Sequence, residues 1–349
     1  MTQEQIPPVV SIIIPNFNGE KFLERCLKSI FLEKRKSFEV IIVDDCSIDN
    51  SVSLIRKLRK TEINKKLKLI VLKNRVWTAK ATNIGVKNSK GKYLLILDND
   101  TKIKKGWFNE VVQFFKKNKR AGVAQPKLLK MGTNKFDYAG DYLGPFGFLI
   151  ERARGTPDIG QFNKTEKIFA LKSAAMLVRR DVFNKLGGFD ENYKIFWEET
   201  DFCWRTWLID YQVLFAPQIV VWHAFGTKEK GVQTYIHHQV YYNGCKNTIT
   251  TLIKNLGNKK LLFILPVNAG CWLFLAIGFL LRLDIKKSFA LVKGVFWNII
   301  YLPQILIKRK EIQSKRKIAD QELFAIVGDK RNFPYYFGKG IAYIMGKPF

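Results

Sequence analysis

From Val9 to about Pro126 the chain repeats one pattern: a short β-branched apolar run, a polar turn, then a segment of helical period. The runs are VVSIII, FEVIIV, LKLIVL, YLLIL and AGVAQP, and their near-continuous apolarity is what strands covered on both faces require. Amphipathic stretches beginning near Glu20, Asp49, Trp77 and Gly106 have the length of crossover helices. The pattern predicts an open α/β sheet of mostly parallel strands. Ligands of such sheets bind beyond the carboxyl ends of the strands, so chemistry is expected in the polar turns that follow each run.

Those turns are PNFNG at 15–19, DDCSIDNS at 44–51, NRVWTAKATNIG at 74–85 and DND at 98–100. Asn, Asp, Gly and Ser also serve tight turns and helix caps, but four such turns at one sheet edge favour a site. Asp98 and Asp100, one residue apart on the turn leaving YLLIL, can face a single ligand. Carboxylate oxygens of this kind suit Mg²⁺ or Mn²⁺, and such an ion would bridge a diphosphate. Neither a phosphate-binding G-x-x-x-x-G-K-S/T nor a dinucleotide-binding G-x-G-x-x-G occurs.

The stretch from about Lys127 to Phe225 is less regular, with Gly-rich and aromatic loops and one expected strand in KIFALKSAAMLVRR. Further on, Glu198, Glu199 and Asp201 stand where a helix should begin, its apolar faces supplied by Phe202, Cys203, Trp204 and Trp207. The helix dipole stabilises acids there. Three carboxylates within four positions nevertheless repel one another, so a cation or a substrate group is expected to offset them.

Composition narrows the class. The chain has 349 residues, 47% of them apolar and 13% aromatic, which excludes a disordered protein and favours a main domain with an attachment. Lys and Arg number 59 against 30 Asp and Glu, a net charge of +29, and this implies a polyanionic neighbour: nucleic acid, an acidic membrane surface or phosphate-bearing substrates. Cysteines at 26, 46, 203, 245 and 271 are odd in number and lack metal-ligand spacing, which points to a reducing compartment without a disulfide framework. The start, MTQEQIPPVVSIII, lacks the basic and apolar pattern of a secretory signal, so folding in the cytosol is expected.

SIIIPNFNG, EVIIVDDCSIDNS, the N-x-x-W-x-x-x-x-x-N-x-G stretch, YLLILDND and GGFDENYKIFWEETDFCWR followed by VVWH occur in that order from about Val9 to Phe225. Together they resemble the inverting family 2 glycosyltransferases of the GT-A (nucleotide-diphospho-sugar transferase) fold, and in particular the rhamnosyltransferase-like branch that builds cell-surface polysaccharides. The resemblance implies a nucleotide-sugar donor bound by Pro15, Asn16, Asn18, Asp45, Asn83 and Asp98. It implies a divalent cation on Asp100 and His223, Glu199 as catalytic base and Asp201 in the later acidic position. Glu199 stands where the family usually has Asp, and Val76 where many members have Gly. His223 beside Trp222 also reads as a packed, hydrogen-bonded residue. His237 and His238 read as ordinary residues of a helical connector.

After about Gly226 the α/β pattern ends, so residues 1–226 are expected to form the catalytic domain and 227–349 a helical, membrane-associated region. Leu261 to Leu281 carries no charge over a length that could span a bilayer, and a second apolar stretch, GVFWNIIYLPQILI, ends at KRKEIQSKRK. Pro266 and Asn268 interrupt the first and Pro303 the second. Basic residues flank both segments on every side, which favours helices lying in or re-entering the cytoplasmic leaflet over a spanning hairpin; a soluble subdomain is the third reading. Attachment to the cytoplasmic face would bring the enzyme to anionic lipids and to a lipid-linked saccharide acceptor such as a polyprenyl-diphosphate sugar. Three rivals remain: a synthase acting on polyprenyl phosphate itself, a basic nucleic-acid-binding protein, and a catalytically dead binding module. The second is disfavoured because the acids gather at the ligand edge and the basic runs flank apolar segments.

Overall fold

The computed structural model describes residues 7–33, 36–60, 66–224, 237–329, 331 and 333–345. The expected boundary at 226 lies outside them. The amino-terminal half alternates as the apolar runs predict: β1 (Val10–Asn16), α1 (Glu20–Ile30), β2 (Phe38–Asp44), α2 (Ser51–Leu58), β3 (Leu67–Val71), α3 (Trp77–Lys87), β4 (Tyr93–Leu97), β5 (Thr101–Ile103), α4 (Trp107–Lys117) and β6 (Ala121–Lys130). The less regular stretch adds β7 (Phe136–Tyr138), β8 (Asp141–Leu143), β9 (Leu149–Glu151), β10 (Glu166–Lys167), β11 (Ala175–Arg179), α5 (Arg180–Lys185), α6 (Glu198–Leu208) and β12 (Gln212–His223).

The main sheet runs β10-β12-β6-β11-β4-β1-β2-β3, with β5 on β12 and β7 on β6. β4, β1, β2 and β3 pair in parallel, and so do β6 and β12, but β11 enters antiparallel between β4 and β6. The sheet is therefore mixed. Ile12, Ile13, Ile14, Ile41, Ile42 and Leu95 are fully buried, as strands covered by helices on both faces require. β3 at the edge keeps two exposed positions, and KIFALKSAAMLVRR is divided between the end of β10 at Lys167 and β11 at Ala175–Arg179.

The carboxyl-terminal third is helical: α7 (His237–Asn255), α8 (Asn258–Leu281), α9 (Ile285–Ile300), α10 (Leu302–Ser314), α11 (Asp320–Val327) and α12 (Phe333–Met345). Pro266 does not end α8, which continues through it, while the second apolar stretch breaks at Tyr301, where α9 and α10 meet at 67° beside Pro303. Leu252, Leu256, Ile264, Leu323 and Val327 join the hydrophobic core of the sheet domain, and Asn268 in the middle of α8 donates to the Phe146 carbonyl at 2.8 Å. The opposite side of the helices is bare: Leu262, Phe263, Ile277, Leu281, Phe289, Ile299, Ile300 and Ile307 are each more than half exposed. Among the described residues, α8 is the one helix long and apolar enough by itself to cross a membrane.

Candidate active site

Pairing of β5 with the end of β12 sets Thr101 opposite His223, and the Ala224 amide donates to the Asp100 carbonyl at 3.1 Å. This register carries the imidazole to the D-x-D turn. One ligand atom from each of Asp98, Asp100 and His223 lies within 4.8 Å of the others, and His223 Nε2 is 3.3 Å from Asp100 Oδ1. Asp137, which sequence reasoning missed, sits on β7 and accepts from His223 Nδ1 at 2.9 Å. A carboxylate on Nδ1 fixes the ring and leaves Nε2 directed at the two Asp residues, as the outer shell of a metal-binding histidine does. Burial opposes charge on His223, but its hydrogen bonds to Asp100 and Asp137 outweigh that and raise its pKa to about 10. Two carboxylates and an imidazole nitrogen form a donor set that suits a divalent cation.

Burial and the charge of Asp100 push Asp98 up to about 6, against the pull of His223. On the adjoining turn Asn16 uses every polar atom: its Nδ2 donates to Asp44 at 2.8 Å and its Oδ1 accepts from Asn99 at 2.7 Å. Gly19 is required here, because a Cβ would lie 2.2 Å from Asn16 Oδ1 and 2.3 Å from Asn99 Nδ2. Asn18, at φ 51°, accepts from the Ile48 amide, and Pro15 is the penultimate residue of β1. Asp45 takes the Val76 and Trp77 amides at 2.6 and 2.9 Å, anchoring the start of α3. Val76 has φ −116° and needs no glycine; the left-handed residue is Trp77, at 69°. Arg75 packs its guanidinium on the rings of Phe17 and Trp77, at 3.6 and 4.2 Å.

Asn83 is placed differently from the other donor-binding candidates. Its amide donates to the Phe189 carbonyl and accepts from the Phe189 amide, both at 2.9 Å, and so ties α3 to the turn before the acidic segment.

That segment is strained and braced. Lys194, Phe196 and Trp197 have φ of 61°, 64° and 72°, each in the left-handed region that L-residues avoid. Asn247 of α7 holds them by donating to the carbonyls of Tyr193, Ile195 and Phe196 at 3.2, 2.9 and 2.8 Å. The turn delivers Glu198 and Glu199 to the first turn of α6. Burial is the main cause that raises both, Glu199 to about 7 and Glu198 well above the ordinary carboxylate value, and Asp98 adds to each. Each keeps one oxygen, Oε2, shielded and without a partner.

Asp201 does not join them. It is fully buried, 2.8 Å from Arg205 and 2.9 Å from Lys254, and accepts from Tyr193 and Asn255. These cations hold its pKa down despite burial, and full burial in this ion cluster keeps its carboxylate out of reach of an incoming hydroxyl. The repulsion expected among the three acids is thus relieved twice, by Lys254 and Arg205 at Asp201 and by protonation at Glu198. Lys254 lies too far along the chain for any local pattern to have paired it with Asp201.

Residues 11–187 match the family described as glycosyl transferase family 2. The chain belongs to that family. It is 30% identical over 107 residues, 31% of its length, to TuaG of Bacillus subtilis, a glycosyltransferase named for teichuronic acid biosynthesis; the match spans 42% of TuaG. Its fold is similar to that of Staphylococcus aureus TarS residues 1–349 (TM-score 0.58, 16% identity), covering 97% of this chain and 92% of that one. It is also similar to a mannosyltransferase of Pyrobaculum calidifontis solved with GDP-Man and Mn²⁺ (TM-score 0.53, 17% identity, 84% and 88% coverage). The chain spans less than half the length of the first curated relatives it matches.

Proposed function

We propose that this chain is a glycosyltransferase that moves a sugar, rhamnose or another hexose, from a nucleotide-diphosphate donor to a lipid-linked saccharide at the cytoplasmic face of the membrane, in the synthesis of a cell-surface glycan. The observation that carries the reading is the meeting of the Asp98, Asp100 and His223 cluster with Glu199, electrostatically coupled through Asp98, at the carboxyl edge of the sheet. Related folds solved with UDP-GlcNAc or with GDP-Man and Mn²⁺ support a nucleotide-sugar donor.

Glu199 fits the general base of a single inverting displacement. A pKa near 7 leaves about half of it ionised at neutral pH and makes it basic enough to take the proton of an acceptor hydroxyl. Glu198 holds the adjacent proton, and the turn braced by Asn247 fixes where Glu199 points. Asp100 and His223 Nε2 would hold the divalent cation, with Asp98 beside the donor's ribose and sugar; the ion would neutralise the departing diphosphate. Asp137 keeps His223 oriented.

The reading places residues 1–226 as the catalytic domain and 227–349 as the attachment. Asn268 and Ile264 tie the first half of α8 to the sheet domain while its other side is bare and apolar, a geometry that favours helices lying in the leaflet over a spanning pair. The charge of +29 suits the anionic lipids of that surface. Glu199→Gln tests the assignment: turnover should fall by about 10²–10⁴ with folding intact.

A further inference from the structure

A cavity of about 490 Å³ opens between the turn at 190–194, α7 and the break between α9 and α10. Lys194, Lys246 and Lys308 line it, and so do Trp297 and Tyr301, whose rings stack at 4.5 Å. Two acids also border it, but both are occupied. Asp190 is bound by Lys254 at 2.7 Å and Lys308 at 2.5 Å, and Glu191 by Lys80 at 3.4 Å.

Lys246 is the group left over. It is 4% exposed, its ammonium donates to the Asn192 carbonyl at 3.1 Å and lies 4.8 Å over the Trp297 ring, and among the described residues no carboxylate forms an ion pair with it. Burial, with Lys194 nearby, lowers its pKa to about 8. Asp190 acts on it only from a distance and is itself taken by Lys254 and Lys308; a buried ammonium with no carboxylate in contact is costly, and an anion entering the cavity would relieve that cost. The surroundings say which kind of anion. Trp and Tyr favour the headgroup level of a membrane, and the residues that follow Trp297, namely Ile299, Ile300 and Leu302, are exposed apolar side chains.

We propose that this cavity binds the phosphate group of a lipid, with Lys246 and Lys194 as its cationic contacts and the hydrocarbon chain leaving past Ile300 and Leu302. The assignment rests on the membrane-surface reading above. It also gives Lys246 a second consequence: this residue and its neighbour Asn247 both hold the turn that presents Glu199, so a lipid phosphate here would sit one hydrogen bond from the catalytic turn.

The test is titration of the full chain with farnesyl phosphate, followed by tryptophan fluorescence, with farnesol and inorganic phosphate as comparison probes. Saturable binding of farnesyl phosphate is expected, with both comparison probes much weaker. Lys246→Met should weaken it about tenfold or more, and Lys194→Asn severalfold. Unchanged affinity in Lys194→Asn and Lys246→Met would overturn the assignment, as would failure of farnesyl phosphate to bind. Equal affinity for inorganic phosphate would make this a free-anion site, and equal affinity for farnesol an apolar one; either result overturns it too. Should Lys246→Met not fold, Lys194→Asn decides alone. Neither vesicles nor donor are needed, so a failure here is distinct from a failure of membrane attachment or of sugar transfer, which flotation and donor turnover read separately.

Discussion

Asp137 accepts a hydrogen bond from His223 Nδ1 at 2.9 Å, and this sets Nε2 toward Asp100. If His223 and Asp100 hold a divalent cation, Asp137 controls its affinity without touching it. Asp137→Asn should raise the Mn²⁺ concentration needed for half-maximal transfer by about 10–100-fold, with a far smaller change at saturating metal. Activity unaffected by a chelator would remove the basis for that role.

The pH dependence follows from Glu199. Its raised pKa means that kcat/KM should climb with pH and level off above about 7, as a base that must be ionised requires. Stability should run the other way. Glu199 and Asp141, both raised to about 7 chiefly by burial, and Glu198, also raised well above its ordinary value by burial, hold protons in the folded state that the unfolded chain has already released. Their contribution is complete below the unfolded carboxylate pKa values near 4 and is lost as pH rises through 7. Asp190 and Asp201 are depressed and oppose this only below the usual carboxylate range. Chemical denaturation without added metal should therefore find the protein more stable at pH 5 than at pH 8.

Asp201 and Glu199 are two residues apart, and the structure separates what they can do. Asp201→Ala takes from the buried Arg205 its carboxylate partner and leaves Lys254 with Asp190 alone, and it should cost roughly 3–5 kcal/mol in a denaturation experiment. A variant at 201 that folds with normal stability yet loses transfer would return this residue to the chemistry.

Much of this was legible because it is local. Strand runs, the turns after them and the start of α6 follow from apolar period and from residues adjacent in sequence. Asp137 was not, since its part depends on β7 pairing with β6 beside β12, and nothing in FDY marks it. Asp201 pairs with Arg205 at i and i+4, a visible spacing, but Lys254 arrives from α7. Pro266 looked like a break; it costs one backbone bond near the exposed Leu262, and the helix continues.

Asn247 gives a test of the brace. Asn247→Ala removes the donor for three carbonyls, which should lower stability by about 1–3 kcal/mol and reduce kcat with little change in donor KM, because the donor residues lie on other turns. Equal effects on kcat and donor KM would mean that the whole edge had shifted.

Membrane attachment is tested on the bare side of the helices. Phe263→Ser with Ile277→Ser, both highly exposed, should abolish salt-resistant flotation with anionic vesicles while leaving the fold intact. Flotation of the native chain that high salt fully reverses would indicate a purely electrostatic contact.

The most direct measurement is release of nucleoside diphosphate from a panel of nucleotide sugars with Mn²⁺ or Mg²⁺, comparing the native chain with Glu199→Gln. The account predicts turnover of a nucleotide sugar that depends on metal and falls by about 10²–10⁴ in the folded variant. Near-normal turnover by folded Glu199→Gln, or no release from any nucleotide sugar by the native chain, would contradict it.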